Sequence, residues 1–190
     1  MFRTVFLVLL LVSASPVALA KGNPHVLMET SMGNIELELY AGKAPITVQN
    51  FLQYVRDGFY DGTIFHRVIY DWLIQGGGYD KDLQEKETRP PIKSEAANGL
   101  NNKRGTIAMA RFSDPDSADA QFFINLDNNT SFNHKGNSPR TYGYCVFGRV
   151  VKGMDVAEKI SAVKTDEKGG FVNLPAEPVV IKHMKILKSK

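Results

Sequence analysis

From Ile35 to Leu39 the chain alternates without a break, with Ile35, Leu37 and Leu39 on one side and Glu36 and Glu38 on the other. A period of two with one apolar face is the pattern of a half-buried strand. Residues 26–28 are apolar too and lie across the short segment Ser31-Met32-Gly33-Asn34, so residues 26–40 read as a hairpin. Short apolar runs follow at 64–68, 72–76, 106–110, 121–125 and 144–150, and a loosely alternating one at 179–187. Only two segments carry helical spacing. One opens at Pro45, repeats Val48, Phe51, Leu52 and Val55, and stops at Gly58; the other spans 154–161. Proline suits a first helical turn and glycine an end. Many short strands with two helices point to a mainly β fold, an antiparallel sheet closed into a barrel, which also removes exposed strand edges.

The length of 190 residues, 43% of them hydrophobic, fits one domain with its own core. The formal charge of +3 is small and no lysine or arginine run stands out, so nothing calls for nucleic acid. Residues 1–20 read as a cleaved signal peptide: Arg3 supplies the positive start, residues 5–12 are apolar, Pro16 breaks the run, and Ala18-Leu19-Ala20 is a small-x-small cleavage site. The run is too short for a bilayer, which needs about 20 apolar residues. The mature chain, residues 21–190, is expected in the periplasm as a monomer without membrane attachment. Cys145 is the only cysteine, which excludes an internal disulfide, and its setting between Tyr144 and Val146-Phe147 is that of a buried strand residue. The four histidines show no ligand spacing, and no metal or cofactor is expected. Sequons at Asn128 and Asn129 are read as accidental.

Two stretches carry the chemistry. The first is Phe65-His66-Arg67-Val68-Ile69 with Leu73-Ile74-Gln75-Gly76-Gly77-Gly78; the second is Gly105-Thr106-Ile107-Ala108-Met109-Ala110-Arg111 with Gln121-Phe122-Phe123-Ile124-Asn125. Together, and in this order, they resemble the cyclophilin family of peptidyl-prolyl cis/trans isomerases over residues 25–187, most of all its bacterial periplasmic members. The resemblance implies eight strands closed into a barrel with a helix over each open end. It also implies isomerisation of X-Pro bonds, with proline-containing segments of unfolded or exported proteins as partners.

The implied catalytic residues are Arg67 and Gln75. Arg67 matches the family arginine, and Gln75 the glutamine that contacts the substrate backbone and positions it. The implied proline slot is Trp72, Leu73, Phe123 and Phe132, where the family usually has phenylalanine, methionine, phenylalanine and leucine. Phe122 should be core, because neighbouring strand residues face opposite ways. Ala110 and Arg111 match the strand edge that receives substrate backbone, with Arg111 adding a charge where asparagine is common. Tyr144 stands where many relatives have histidine, and Ser131 where many eukaryotic relatives have tryptophan.

Two other readings compete. A binding module could hold proline segments in the same slot, but it would need no donor such as Arg67. A serine hydrolase would need a nucleophile motif such as Gly-x-Ser-x-Gly, which the sequence lacks.

Overall fold

The computed structural model describes residues 22–188, so the leader read at residues 1–20 lies outside the described residues. The hairpin forms as expected. Strands β1 (His25–Thr30) and β2 (Gly33–Leu39) pair antiparallel around a turn at Ser31 and Met32. The Thr30 hydroxyl ties this turn, donating to the Gly33 carbonyl at 2.7 Å and accepting from the Met32 N–H at 3.1 Å. Ile35, Leu37 and Leu39 are fully buried beside Val26 and Met28, so the alternation reports the core face.

Helix α1 (Pro45–Arg56) buries the anticipated Val48, Phe51, Leu52 and Val55, and adds Thr47 and Tyr54. Phe51 packs against Tyr60, Phe122 and Phe147 at ring separations of 5.2, 5.8 and 5.1 Å. Its N-cap is Ala44, which has no side-chain acceptor. The cap comes instead from Glu95. Its carboxylate accepts from the N–H groups of Ile46 and Thr47 at 3.1 and 2.8 Å, and from the Thr47 hydroxyl at 2.7 Å. A carboxylate there meets orphan backbone donors and the positive end of the helix dipole.

The rest of the sheet is β3 (Thr63–Ile69), β4 (Leu73–Asp80), β5 (Thr106–Met109), β6 (Phe122–Asn125), β7 (Val146–Lys152) and β10 (Ile181–Leu187). Helix α2 (Met154–Ser161) coincides with its expected span and buries Ala157 and Ile160 in the main core. Strand β4 continues beyond the expected end at Gly76, through three glycines. A Cβ at Gly76 would lie 2.8 Å from the Ile64 carbonyl oxygen, and one at Gly77 would lie 2.8–2.9 Å from the rings of Phe122 and Tyr60. Only glycine lets this strand pass so close to its neighbours.

Two expectations need correction. The sheet runs β10-β1-β2-β7-β5-β6-β4-β3, with antiparallel ladders throughout, but it is a curled half-barrel rather than a closed barrel. Between the edge strands there is only the bridge Ile64–Val180, flanked by hydrogen bonds from Phe65 N–H to Val179 O and from Gly62 N–H to Ile181 O. β3 carries two register irregularities in its ladder with β4, and Pro178, which has no N–H to offer, lies just ahead of β10. The second correction is an extra hairpin, β8 (Thr165–Lys168) and β9 (Phe171–Pro175), turned at Gly169-Gly170. It packs beside β3 and sets Phe171 against His66 and Tyr79 at 6.1 and 4.9 Å.

Candidate active site

A second cluster lies on the face of the sheet turned away from the core. On β5, Ile107 and Met109 point inward, which turns Ala108 and the following Ala110 outward. On β6, Phe122 and Ile124 are core and Phe123 is not, as expected from alternation. Leu73 of β4 and Val146 of β7 complete a buried floor with Ala108 and Phe123, and Trp72, Leu100, Ala110, Phe132 and Tyr144 pack around it half-buried. The register makes this one continuous row. Arg67 pairs with Gln75, Gln75 with Phe123, Phe123 with Ala108, and Ala108 with Val146. Directly opposed residues on paired strands share a face, so the row passes from charged to polar to apolar across four ladders.

The walls are aromatic. Phe132 lies 5.4 Å from Trp72, 5.6 Å from Phe123 and 5.0 Å from Tyr144, and Phe123 and Tyr144 are 5.5 Å apart. Trp72 enters through the β3–β4 turn, where its N–H donates to the Ile69 carbonyl at 3.1 Å and Asp71 takes a left-handed φ of 52°. Aspartate tolerates that conformation better than most residues. Phe132 comes from a single 3-10 turn (Thr130–Phe132), and the neighbouring Ser131 is exposed outside the cluster.

Arg67 stands at the edge of this slot. Its guanidinium carbon is 5.6 Å from the centre of the Trp72 ring, and its Nη1 donates to Gln75 Oε1 at 3.3 Å. Gln75 Nε2 in turn donates to Gln121 Oε1 at 3.2 Å. Gln121 was not singled out from the sequence, although it sits two residues before Phe123 and its position in the alternation was the signal. A Cβ on Gly78 would come within 2.6–2.9 Å of the Gln121 side chain, so Gly78 leaves the room Gln121 occupies.

Arg111 departs from expectation. Its guanidinium does not lie free in the groove but is held by backbone carbonyls: Gly143 at 2.8 Å, Phe112 at 2.8 Å, Ser113 at 3.1 Å and Pro139 at 3.0 Å. It also stacks 5.0 Å from the centre of Tyr144. The side chain therefore braces two loops against a slot wall. His66, next to Arg67, is buried against Tyr79 at 4.7 Å, and its Nδ1 has no hydrogen-bond partner among the described residues. Burial first, and the Arg67 charge second, push its pKa down to about 4. Burial pushes the Cys145 thiol up to about 11. Among the described residues no group of three or more histidine, cysteine or acidic side chains is placed to hold a metal. None of their helices is long and apolar enough to cross a membrane. Asn129, one of the two sequon residues, is buried.

Such a row can bind a small apolar ring beside a fixed planar donor. Comparisons with known proteins give the family. A family model described as cyclophilin type peptidyl-prolyl cis-trans isomerase matches residues 25–186. The chain is 54% identical over 181 residues to peptidyl-prolyl cis-trans isomerase A of Dickeya dadantii, covering 95% of this chain and 94% of that protein. It is 50% identical over 161 residues to peptidyl-prolyl cis-trans isomerase B of Escherichia coli, covering 85% of this chain and 98% of that protein. In fold it resembles a crystal structure of a cyclophilin type isomerase from Cryptosporidium parvum, with a TM-score of 0.72 at 23% identity over 88% of this chain and 99% of that one.

Proposed function

This chain belongs to the cyclophilin-type peptidyl-prolyl cis-trans isomerases and has their activity on X-Pro bonds, and from that premise we propose how its residues share the work and where it acts. The proline ring of a substrate enters the slot over Leu73 and Phe123, between Trp72, Phe132 and Tyr144. The carbonyl before it then lies toward the polar end of the row, at Arg67 and Gln75.

Rotation about a planar amide costs about 18–20 kcal/mol, because the nitrogen lone pair is shared with the carbonyl. No bond has to break. A catalyst needs only to bind the twisted amide more tightly than either planar form. In the twisted state the lone pair returns to the prolyl nitrogen, and an Arg67 N–H donates to it. The planar amide cannot accept that bond, so its energy appears only in the transition state. Guanidinium suits the task because its donors are fixed in a plane and its charge is permanent. Trp72 on one side and Gln75 on another restrain it before substrate arrives, which lowers the ordering cost of reaching that geometry. No proton is transferred, so His66 and Cys145 have no part in the step. The observation that carries this reading is the alignment of Arg67, Gln75 and Phe123 in one cross-strand row. A proline-limited refolding assay on residues 21–190, with Arg67→Ala beside it, tests it. A folded variant with unchanged turnover removes Arg67 from the mechanism.

We further propose that the enzyme serves the folding of exported proteins in the periplasm, as a monomer. The support is the charged start, apolar run and Ala18-Leu19-Ala20 of the leader, together with the slowness of proline isomerisation, which can limit folding. Mass spectrometry of exported protein should find Lys21 at the N-terminus. A full-length chain held in the membrane would defeat this placement.

A further inference from the structure

The slot walls come from the β3–β4 turn, which carries Trp72, and from two points of the long β6–β7 connection, Phe132 and Tyr144, and one buried cluster of amides holds all three. Asn102, Asn125 and Asn129 are 1%, 0% and 5% exposed. Asn125 sits at the centre. Its Nδ2 donates to Asn102 Oδ1 at 3.2 Å and to the Thr106 hydroxyl at 2.9 Å, and its Oδ1 accepts from Asn129 Nδ2 at 2.7 Å. The outer two asparagines reach the walls. Asn102 Nδ2 donates to the carbonyls of Phe132 at 3.1 Å and Tyr144 at 3.3 Å. Asn129 Nδ2 donates to the carbonyl of Trp72 at 3.2 Å. The backbone closes the arrangement, with Asn129 N–H on Asn102 O at 2.8 Å, Phe132 N–H on Asn129 O at 2.9 Å and Tyr144 N–H on Phe132 O at 2.9 Å.

We propose that Asn102, Asn125 and Asn129 are positioning residues for the isomerase reaction, setting the spacing of Trp72, Phe132 and Tyr144 around the proline ring. The proposal rests on the reading that this slot takes the ring. None of the three contacts substrate; they act through the backbone of the residues that do. Buried amides are costly to leave unpaired, so the cluster tolerates essentially one arrangement of these loops. Apolar contacts among Trp72, Phe132 and Tyr144 lack that directionality and would let the walls slide. The cluster thereby turns a soft aromatic contact into a slot of defined width.

The experiment uses two variants and three readouts. Asn102→Asp keeps the acceptor for Asn125 but sets an oxygen against two carbonyls. Asn129→Ser is too short to reach Trp72. Trp72 is the only tryptophan in the chain, so intrinsic fluorescence reads the slot directly. Titration with an X-Pro peptide separates kcat from KM, and thermal unfolding measures the scaffold. The expected result is KM raised about fivefold per variant, the equivalent of one hydrogen bond, with kcat within about twofold and Trp72 emission shifted. A lowered melting temperature with normal KM and normal emission would reduce the cluster to a scaffold and overturn the assignment, as would failure of both variants to fold. Phe132→Ala in the same titration separates the two levels of the argument. An unchanged KM there removes the slot reading itself rather than the role of the asparagines.

Discussion

Arg67 and Trp72 meet across the β3–β4 turn with the guanidinium carbon 5.6 Å from the ring centre, close enough for the indole face to attract the charge. The pair joins the polar and apolar halves of the groove, since Trp72 also touches Phe132 at 5.4 Å. Arg67→Ala should lower kcat/KM on the order of a hundredfold, the scale of losing one donor aimed at the transition state. Circular dichroism should be unchanged. Arg67→Lys should recover little, because an ammonium does not reproduce the planar fork. Substantial rescue by lysine would show that charge alone suffices.

Glu95 caps a helix that begins 50 residues earlier in the sequence. Glu95→Ala should destabilise the protein by about 1–2 kcal/mol, in the range of lost N-caps. For a chain of this size that is a fall of roughly 3–6 °C in melting temperature. Glu95→Gln keeps an acceptor and should lose less. Calorimetry of the two variants checks the order. Equal melting temperatures for wild type and Glu95→Ala would deny the cap any net contribution.

His66 predicts an acid sensitivity of stability without one of catalysis. Its pKa is about 4 in the folded chain, against an ordinary value of 6.5. Between those values the unfolded chain binds a proton that the folded chain refuses, so stability rises with pH through this window. The contribution is complete above pH 6.5 and fades as pH falls toward 4, on the order of 3 kcal/mol in all. Urea unfolding between pH 4.5 and pH 7 should show the slope, and His66→Phe should flatten it. Turnover should stay level from pH 6.5 upward, because the step moves no proton. A wild-type curve with no slope above pH 4.5 would place the titration elsewhere.

Ser131 and Phe132 bear differently on a large ligand of the groove, since Phe132 packs in the aromatic wall and Ser131 beside it is exposed. Cyclosporin binds many cyclophilins there, and sensitive relatives supply a tryptophan beside the slot. Phe132 is committed to the slot wall here, and the exposed Ser131 is what remains at the rim. Serine offers almost no apolar area. Losing such a contact costs on the order of 2 kcal/mol, around thirtyfold in affinity. Weak inhibition of an active enzyme is therefore expected, with tighter inhibition in Ser131→Trp and none of that gain in Phe132→Trp. Nanomolar inhibition of the wild type would show that the tryptophan does not govern this site.

Local chemistry wrote much of this structure into the sequence. The alternation of Ile35, Leu37 and Leu39, the helical spacing of Val48, Phe51 and Val55, and the opposite faces of Phe122 and Phe123 depend only on neighbours along the chain. Arg67, Gln75, Leu73 and Phe123 sit in motifs on paired strands, where alternation alone sets the face each side chain takes, whereas Trp72, Phe132 and Tyr144 come from a turn and a long connection that no periodicity describes. Other features needed the tertiary structure. Glu95 reaches Thr47 across 48 residues, Asn102 reaches Tyr144 across 42, and Arg111 spends its donors on carbonyls as far away as Gly143. The half-open seam, where only the bridge Ile64–Val180 joins the edge strands, is announced by no periodicity. A polar side chain in a loop has many possible partners and no repeating pattern to choose among them. Only the packed arrangement of the loops decides which carbonyl or amide it meets, because burial there makes an unpaired group costly.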